Sequence, residues 1–178
     1  MLEALLPLFL SSALSESRGE LLAIRVGRAE TISHGPLENA VILVEGDKIV
    51  AIGEDLPVER GVPILDRPEW VVTPGLVNCH SRAGLDGSAG RAFDPELRAA
   101  AEVYGRQDIW KELLETGVTT LGLYPAGSGI PGQAVAVRPH GASAQEMIVR
   151  DGVYLQVYIG ANPSLKKMLA DAFEKVEE

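Results

Sequence analysis

"VVTPGLVNCHSRAGL", residues 71–85, is the stretch of the sequence that most constrains the fold. An apolar run over residues 70–80 leads to His80, and a run this continuous is typical of a strand buried on both faces, as in a parallel sheet. Because alternate residues of a strand face the same side, the side chain aligned with His80 is that of Arg82. The stretch therefore predicts a buried strand that ends with a histidine and an arginine on one face.

The residues that follow predict a strand–helix–strand unit. After a glycine-rich, irregular segment at 81–105, apolar residues recur at helical spacing within 106–117, and Gly117 suits the position just after a helix. The sequence "VTTLGLY" at 118–124 then predicts a second buried strand. This order of elements favours parallel pairing of the two strands.

The residues that precede the opening stretch predict a small β-domain. Runs of branched residues bounded by turn formers predict strands at 21–28, 40–52 and 62–66. Within the second run, "EGDK" at 45–48 predicts a tight hairpin turn. Residues 30–39, which contain His34, are expected to form a polar connection. We therefore expect a small β-sandwich over residues 20–68.

The last part of the sequence predicts a loop, further strands and a helix. "PAGSGIPGQ" at 125–133 is expected to be a flexible loop, and it lacks the Gly-Lys-Ser/Thr ending of a phosphate-binding loop. Strands are predicted at 134–139, 146–151 and 153–160. Asn162 suits a helix N-cap and Pro163 the first helical position. The apolar stripe of this final helix consists of Leu165, Met168, Leu169, Ala172, Phe173 and Val176.

Length, charge and cysteine content limit the classes of protein. The 178 residues allow one large domain, or a small domain with part of another. The net charge of −9 argues against nucleic acid as a partner, because nucleic acid rewards clustered Lys and Arg. The single cysteine, Cys79, excludes an intramolecular disulfide framework, and we expect it to be a small buried hydrophobic residue rather than a catalytic thiol.

Residues 1–19 form a separate N-terminal segment with two interpretations. An apolar stretch followed by small residues resembles a weak signal peptide, but a basic start is absent and Glu3 has the wrong sign. The alternative is a short amphipathic or frayed segment. We favour a cytoplasmic location, with export as the alternative. The apolar run is too short to span a bilayer, so no membrane span is expected.

Taken together, several motifs of the sequence resemble the amidohydrolase superfamily, close to imidazolonepropionase-like members. "ENAVILVEGDKIVAIGE" at 38–54 is similar to the family's opening β-sandwich strands, and "PGLVNCHSR" at 74–82 to its Pro-Gly-Leu-Ile/Val-Asp-x-His-x-His motif. "GVTT" at 117–120 matches the next strand, and "GSGIPGQAVAVRPHG" at 127–141 resembles a loop and hairpin of one subgroup. The resemblance covers roughly residues 21–165.

This resemblance implies a (β/α)₈ barrel beside a small β-sandwich, an α/β fold of which residues 69–178 would form the first, apparently truncated part of the barrel. Active sites of such barrels lie at the C-terminal ends of the strands, where His80 is expected. The family's His-x-His pair binds a divalent metal, zinc or iron, which activates a water molecule. A carboxylate acts as general base, and further ligands come from later strands.

The sequence departs from the family pattern at Arg82 and in its length. Arg82 stands where the second histidine is expected, and arginine stays protonated and offers a metal no lone pair. A complete barrel takes about 250 residues, so the remaining ligands and the catalytic aspartate have no counterpart here. An incomplete barrel exposes sheet edges, so we expect a homo-oligomer or a completing chain segment.

Two alternatives stay open for each residue of the degraded motif. His80 is either a surviving metal ligand or a histidine that is hydrogen-bonded at a strand end. Arg82 either occupies the vacant cation position and pairs with Asp86 or Asp94, or is a solvent-exposed loop arginine.

Two residues further along the chain are weaker site candidates. His140 either faces the mouth of the barrel or lies in a turn. Gln133, with Gly132, resembles a subgroup feature near the substrate entrance.

Three functions follow from these observations. The first is metal-dependent hydrolysis of C–N bonds in a cyclic amide or related small molecule, inactive or incomplete in this chain. The second is a non-catalytic amidohydrolase relative that acts as an interaction or structural module, which Arg82 favours. The third is a stand-alone β-sandwich with a disordered remainder, against which the buried-type strands at 70–80 and 118–124 argue.

Overall fold

The computed structural model describes residues 20–85, 93–158 and 160–177. The expectations for the N-terminal segment and for Asp86 lie outside these residues. The chain divides into two compact units, the first reaching to Pro74 and the second beginning at Gly75. Both units are built mainly from strands in mixed sheets, with few helices.

The described residues of the first unit form four strands in one sheet. These are β1 (Leu21–Thr31), β2 (Gly35–Glu45), β3 (Lys48–Glu54) and β4 (Ile64–Val72). Their order is β3-β2-β1-β4, with β1 parallel to β4 and the other pairs antiparallel. A second sheet, which a β-sandwich requires, is not among the described residues of this unit.

The sequence predicted one of the two turns between β1, β2 and β3 correctly and the other incorrectly. Glu45 pairs with Lys48 across a two-residue turn in which Gly46 has a φ of 60°, so the predicted hairpin is confirmed. The predicted polar connection at 30–39 is wrong for most of its length, because Thr31 pairs with Gly35 and only three residues remain in the turn. Main-chain pairing with a neighbouring strand outweighs the polar side chains here.

The described part of the second unit contains two sheets and three α-helices. Its elements are β5 (Leu76–Ser81), a 3₁₀-helix (Ala99–Glu102), α1 (Ile109–Glu115), β6 (Val118–Leu123), β7 (Gly129–Gln133), β8 (Val135–Val137), α2 (Ala144–Met147), β9 (Ile148–Arg150), β10 (Leu155–Tyr158) and α3 (Pro163–Glu177). One sheet has the order β5-β6-β8-β9, and the other pairs β10 with β7. The core of the unit contains Val103, Trp110, Leu121, Leu123, Val135, Val137 and Met147.

The strand–helix–strand prediction is confirmed, because β5 and β6 pair in parallel and α1 lies between them in the chain. The next strand of this sheet, β8, pairs antiparallel with β6, and β9 pairs antiparallel with β8. A continuing series of parallel strands, which a barrel requires, is therefore not evident in the described residues.

The opening stretch does not form one buried strand. β4 ends at Val72 and β5 begins at Leu76, and Pro74 between them has no N–H to donate to a sheet. Leu76 is 59% and Val77 is 67% exposed, because β5 is the edge strand of its sheet. The prediction of burial on both faces is wrong in this structure.

Two other segments also differ from their sequence-based prediction. The expected loop at 125–133 contains β7, which pairs with β10. The expected strand at 146–151 begins in α2, where the Ser143 side chain accepts a hydrogen bond from the Glu146 amide, and becomes extended only at Ile148. The conformation of β7 depends on its pairing with β10, which the local pattern does not reveal, whereas the start of α2 follows a local Ser-x-x-Glu capping pattern that the strand prediction overlooked.

The final helix agrees with its prediction. The Asn162 side-chain oxygen accepts a hydrogen bond from the Ser164 amide at 2.9 Å, and Pro163 is the first helical residue. In the part of the chain that the structure describes, no helix combines the length and the apolar character that crossing a membrane would need.

Candidate functional site

The candidate site lies at the C-terminal ends of β5 and β6. These ends meet at one edge of the sheet because the two strands are parallel. His80 lies near the end of β5, and Tyr124 follows directly after β6. The Tyr124 amide donates to the Ser81 carbonyl at 3.1 Å, which fixes the two strand ends side by side.

His80 is held against an aromatic ring. The imidazole of His80 stacks on the phenol ring of Tyr124, with centroids 4.1 Å apart and planes 12° apart. The His80 amide also donates to the Asn78 side-chain oxygen at 3.2 Å. Stacking and this turn-like hydrogen bond fix the histidine without a metal.

Arg82 binds the main chain beside the same ring. Its Nη1 donates to the Tyr124 carbonyl at 2.9 Å, and its guanidinium carbon lies 5.8 Å from the centre of the Tyr124 ring. The expected pairing with Asp94 is wrong, because Arg82 forms no ion pair with any carboxylate of the described residues. Arg82 is half-buried, so it is not the fully exposed loop arginine of the alternative interpretation either.

Glu102 is the carboxylate that interacts with Arg82 through space. Burial raises the pKa of the Glu102 carboxyl above its ordinary value, and the positive charge of Arg82 opposes that shift. The Oε2 atom of Glu102 is buried and has no hydrogen-bond partner. Glu102 ends the 3₁₀-helix, and no sequence motif indicated it.

The strand ends enclose a cavity of about 340 Å³. It is lined by His80, Arg82, Tyr124, Pro125, Ala126, Gly127, Gln156 and Tyr158. Sequence reasoning identified the first two of these residues and missed Tyr124, Gln156 and Tyr158. The last two come from β10, whose approach to this edge of the sheet depends on its pairing with β7 and has no signal in the local sequence.

Cys79 does not have the buried position that the sequence predicts. It is exposed, because β5 is an edge strand. Its carbonyl accepts a hydrogen bond from the Tyr154 hydroxyl at 2.9 Å, and the Gly122 carbonyl lies 3.5 Å from the same hydroxyl. Burial raises the pKa of the Tyr154 hydroxyl, and Cys79 and Tyr124 add to the shift. Tyr154 thus links the segment before β10 to both parallel strands.

The two remaining candidates, Gln133 and His140, are not among the residues that line this cavity. The Gln133 side chain donates to the Pro95 carbonyl at 3.0 Å and thereby fixes a loop. His140 lines a different cavity, of about 270 Å³, together with Trp110 and Lys111. The structure therefore brings together His80 and Arg82 but neither of the other two.

The donors at the strand ends do not fit a divalent metal. Catalytic zinc sites use three or four protein ligands that carry lone pairs. Here His80 is accompanied by a guanidinium, which has none. Across the described ranges, no group of three or more His, Cys, Asp and Glu side chains is arranged to hold a metal ion.

Comparison with known proteins relates the chain to curated enzymes over part of its length. It is 29% identical over 110 residues to a dihydroorotase of Lactobacillus gasseri, a match that covers 62% of this chain and 22% of the relative. It is 30% identical over 96 residues to an imidazolonepropionase of Klebsiella pneumoniae, covering 49% of this chain and 23% of the relative. The chain thus spans about a fifth of the length of these relatives. No family model matches it.

A solved structure shows the same fold. An amidohydrolase from Thermotoga maritima superimposes with a TM-score of 0.77 at 23% identity, covering 88% of this chain and 47% of that one. The chain is thus similar to the N-terminal portion of dihydroorotase-like and imidazolonepropionase-like members of the amidohydrolase superfamily, and the predicted resemblance is confirmed.

Proposed function

We propose that this chain is an amidohydrolase relative that has no metal-dependent hydrolase centre at His80 and acts as a non-catalytic binding or structural module. The observation that carries the proposal is the hydrogen bond from Arg82 to the Tyr124 carbonyl, in the cavity that also contains His80. A guanidinium fixed there repels a divalent cation and supplies no ligand. The arginine thus occupies the cation position of the site.

The proposal includes a finer statement of the fold. We assign residues 20–68 to the family's β-sandwich and 69–178 to the first part of its (β/α)₈ barrel. The parallel unit of β5, α1 and β6 supports the second assignment, because a strand followed by a helix and a parallel strand is the repeating element of such barrels. The exposed edge strand β5 supports a homo-oligomer or a completing segment as partner.

The second candidate function is metal-dependent hydrolysis of C–N bonds of the cyclic-amide type. The names of the two curated relatives, a dihydroorotase and an imidazolonepropionase, favour it. It requires zinc or iron ligands from outside the described residues, and it requires the Arg82 guanidinium to leave the Tyr124 carbonyl. Substrate would then reach the same strand-end cavity.

Metal analysis of the full chain separates the two functions. The protein is purified from medium supplemented with zinc and iron, dialysed, and measured by inductively coupled plasma mass spectrometry, with hydantoin hydrolysis followed in parallel. We expect far less than one metal per chain and no hydrolysis. One metal per chain that disappears in a His80→Ala variant would overturn the proposal.

Arg82→His is the informative companion variant, because it restores the His-x-His pattern. With no third ligand in reach among the described residues, we expect it to bind zinc weakly and to lose it on dialysis. Cys79→His, at the exposed neighbouring position whose side chain faces the other side of the strand, is the matched control for an added histidine. Stoichiometric zinc in Arg82→His alone would show that Arg82 is the sole defect of the metal site.

A further inference from the structure

The sheet of the first unit carries a cavity of about 290 Å³. All of its lining residues belong to this unit, and it shares none of them with the strand-end cavity of the second unit. Its volume is close to the lower end of the range of small-molecule sites. The cavity therefore suits a small ligand.

Two side chains of opposite charge reach this cavity from neighbouring strands. Arg25 on β1 is the ladder partner of Asp66 on β4, and both residues line the cavity. Because neighbouring strands lie about 4.8 Å apart, one small ligand can contact both groups. Neither residue takes part in an ion pair among the described residues, so both charges are available to a ligand.

Asn39 and Asp55 add two further polar side chains to the lining. The Asp55 amide nitrogen lies 3.5 Å from the Asn39 carbonyl oxygen, which places the two residues side by side. Both have left-handed backbones, with φ of 49° at Asn39 and 50° at Asp55, and no other non-glycine residue in the described ranges has a positive φ. Such conformations cost energy and cluster at ligand sites. The cavity thus offers a second carboxylate and an amide.

Apolar side chains complete the lining of the cavity. Val41 on β2 is the ladder partner of Arg25 on its other side, and Leu56 and Pro68 contribute further apolar surface. An aliphatic group that packs against these side chains is removed from water, which favours binding. The cavity therefore combines one cation, two carboxylates and an aliphatic surface.

We infer that this cavity binds a small aliphatic α-amino acid as its zwitterion. The Arg25 guanidinium takes the carboxylate through charge-assisted hydrogen bonds, and the carboxylates of Asp66 and Asp55 take the ammonium group. The aliphatic side chain of the ligand packs against Leu56. The inference goes beyond the proposed function and does not depend on it, because His80 lies in the other unit.

Titration of the full chain with L-leucine at about pH 6.5, where α-amino groups are protonated, tests the inference by isothermal calorimetry and amide NMR. Leucinamide has the shape of leucine without the carboxylate charge, and 4-methylpentanoate is leucine without the ammonium group. We expect saturable leucine binding with amide shifts at Arg25 and Asn39, and at least about tenfold weaker binding of each analogue. Either analogue binding as tightly as leucine, or no saturable leucine binding, would overturn the inference.

Variants assign each charge to one part of the ligand. Arg25→Gln should weaken leucine binding at least about tenfold but leave leucinamide binding no weaker, because leucinamide has no carboxylate. Asp66→Asn should weaken leucine binding but leave 4-methylpentanoate binding no weaker. Arg60→Gln and Asp47→Asn remove exposed charges of the same unit that do not line the cavity, and these controls should bind leucine as the wild type does.

The outcomes keep this inference separate from the proposed function. Arg25 and Asp66 are exposed, so their variants are expected to fold, which circular dichroism checks. If a variant unfolds, the comparison of leucine with its two analogues on the wild type decides. Unchanged leucine binding in folded Arg25→Gln would contradict the zwitterion site. Stoichiometric zinc bound through His80 would instead overturn the proposed function and leave this inference standing.

Discussion

The imidazole of His80 and the phenol of Tyr124 lie in nearly parallel planes, 12° apart, with centroids 4.1 Å apart. His80, which the sequence predicts as a candidate metal ligand, is thus packed against the first residue after the neighbouring strand. Stacked aromatic pairs contribute about 0.5–1.5 kcal/mol beyond the area they bury. The stack therefore gives His80 a structural role that needs no metal.

This role predicts a graded effect of substitutions at Tyr124. Tyr124→Phe keeps the stacked ring and should change the free energy of unfolding by less than about 0.5 kcal/mol. Tyr124→Leu keeps apolar bulk but loses the stack and should destabilise by about 0.5–1.5 kcal/mol. Urea unfolding followed by circular dichroism measures both. Equal stability of the two variants would contradict a structural role of the stack.

The sequence predicted the two strands β5 and β6 but not the stack of His80 on Tyr124 at their ends. The order of residues from β5 to β6 indicated parallel pairing, and the helix start at Pro163 was evident from local signals, because capping involves neighbouring residues. Which rings meet at the strand ends depends on register. Val77 pairs with Thr120 only after an irregularity in the ladder, which no periodicity reveals.

Two of the wrong predictions share one physical cause. Val77 is apolar and was expected to be buried, yet it lies on an edge strand, and burial depends on which strands are present to cover it. Gly132 and its neighbours were expected in a loop, yet they pair with β10. In both cases contacts distant in sequence decide the outcome, and local composition carries no information about them.

Replacing the Glu102 carboxyl by a neutral side chain is expected to stabilise the protein. Burial raises the pKa of its carboxyl, so the folded chain favours the protonated form. The protonated Glu102 carboxyl therefore makes its full contribution to stability below the ordinary pKa of a glutamate. This contribution is lost as pH rises from there through the raised pKa of the folded state. Glu102→Gln, which is neutral throughout, should therefore be more stable than the wild type at pH 7, and the difference should vanish in acid.

Thermal unfolding at a series of pH values measures this difference. Glu96→Gln, at an exposed glutamate of the same unit, is the control and should show no comparable gain. Glu102→Gln destabilised at pH 7 would mean instead that the charge interaction with Arg82 outweighs burial of the carboxylate.

Ionisation of the Tyr154 hydroxyl in alkali is expected to destabilise the protein. Its hydroxyl donates to the Cys79 carbonyl, so Tyr154→Phe should cost about 1 kcal/mol near neutral pH. Burial raises the pKa of Tyr154 above its ordinary value, so the folded chain holds the phenolic proton more tightly than the unfolded one. The stabilisation is complete below the ordinary pKa of about 10 and is lost as pH rises through the folded-state pKa.

The stability difference between wild type and Tyr154→Phe should therefore shrink above about pH 10. Urea unfolding of both proteins across that range provides the measurement. Tyr158→Phe, where the side chain is 57% exposed, is the matched control and should show a small difference at neutral pH. A wild-type advantage that stays constant into strong alkali would rule out a buried, hydrogen-bonded phenol.

Gly84 lies so close to Trp110 that a side chain at this position is expected to cause the largest loss of stability among the variants proposed for the second unit. A Cβ added at Gly84 would lie 2.0 Å from the Trp110 ring, and the φ of +75° is unfavourable for other residues. Trp110 cannot yield easily, since it is buried and its indole N–H donates to the Tyr104 carbonyl at 2.8 Å. Gly84→Ala should therefore destabilise by about 2–4 kcal/mol, the sum of overpacking and backbone strain.

Gly117→Ala separates these two contributions within the same unit. Gly117 has a φ of +83°, but a Cβ there would meet nothing within 4 Å. The control should cost only the backbone strain, about 1 kcal/mol. Chemical denaturation monitored by tryptophan fluorescence compares the two variants, since Trp110 lies in the core of this unit. Equal losses in both would show that the indole moves aside and that the contact with Gly84 does not constrain the strand end that carries Arg82.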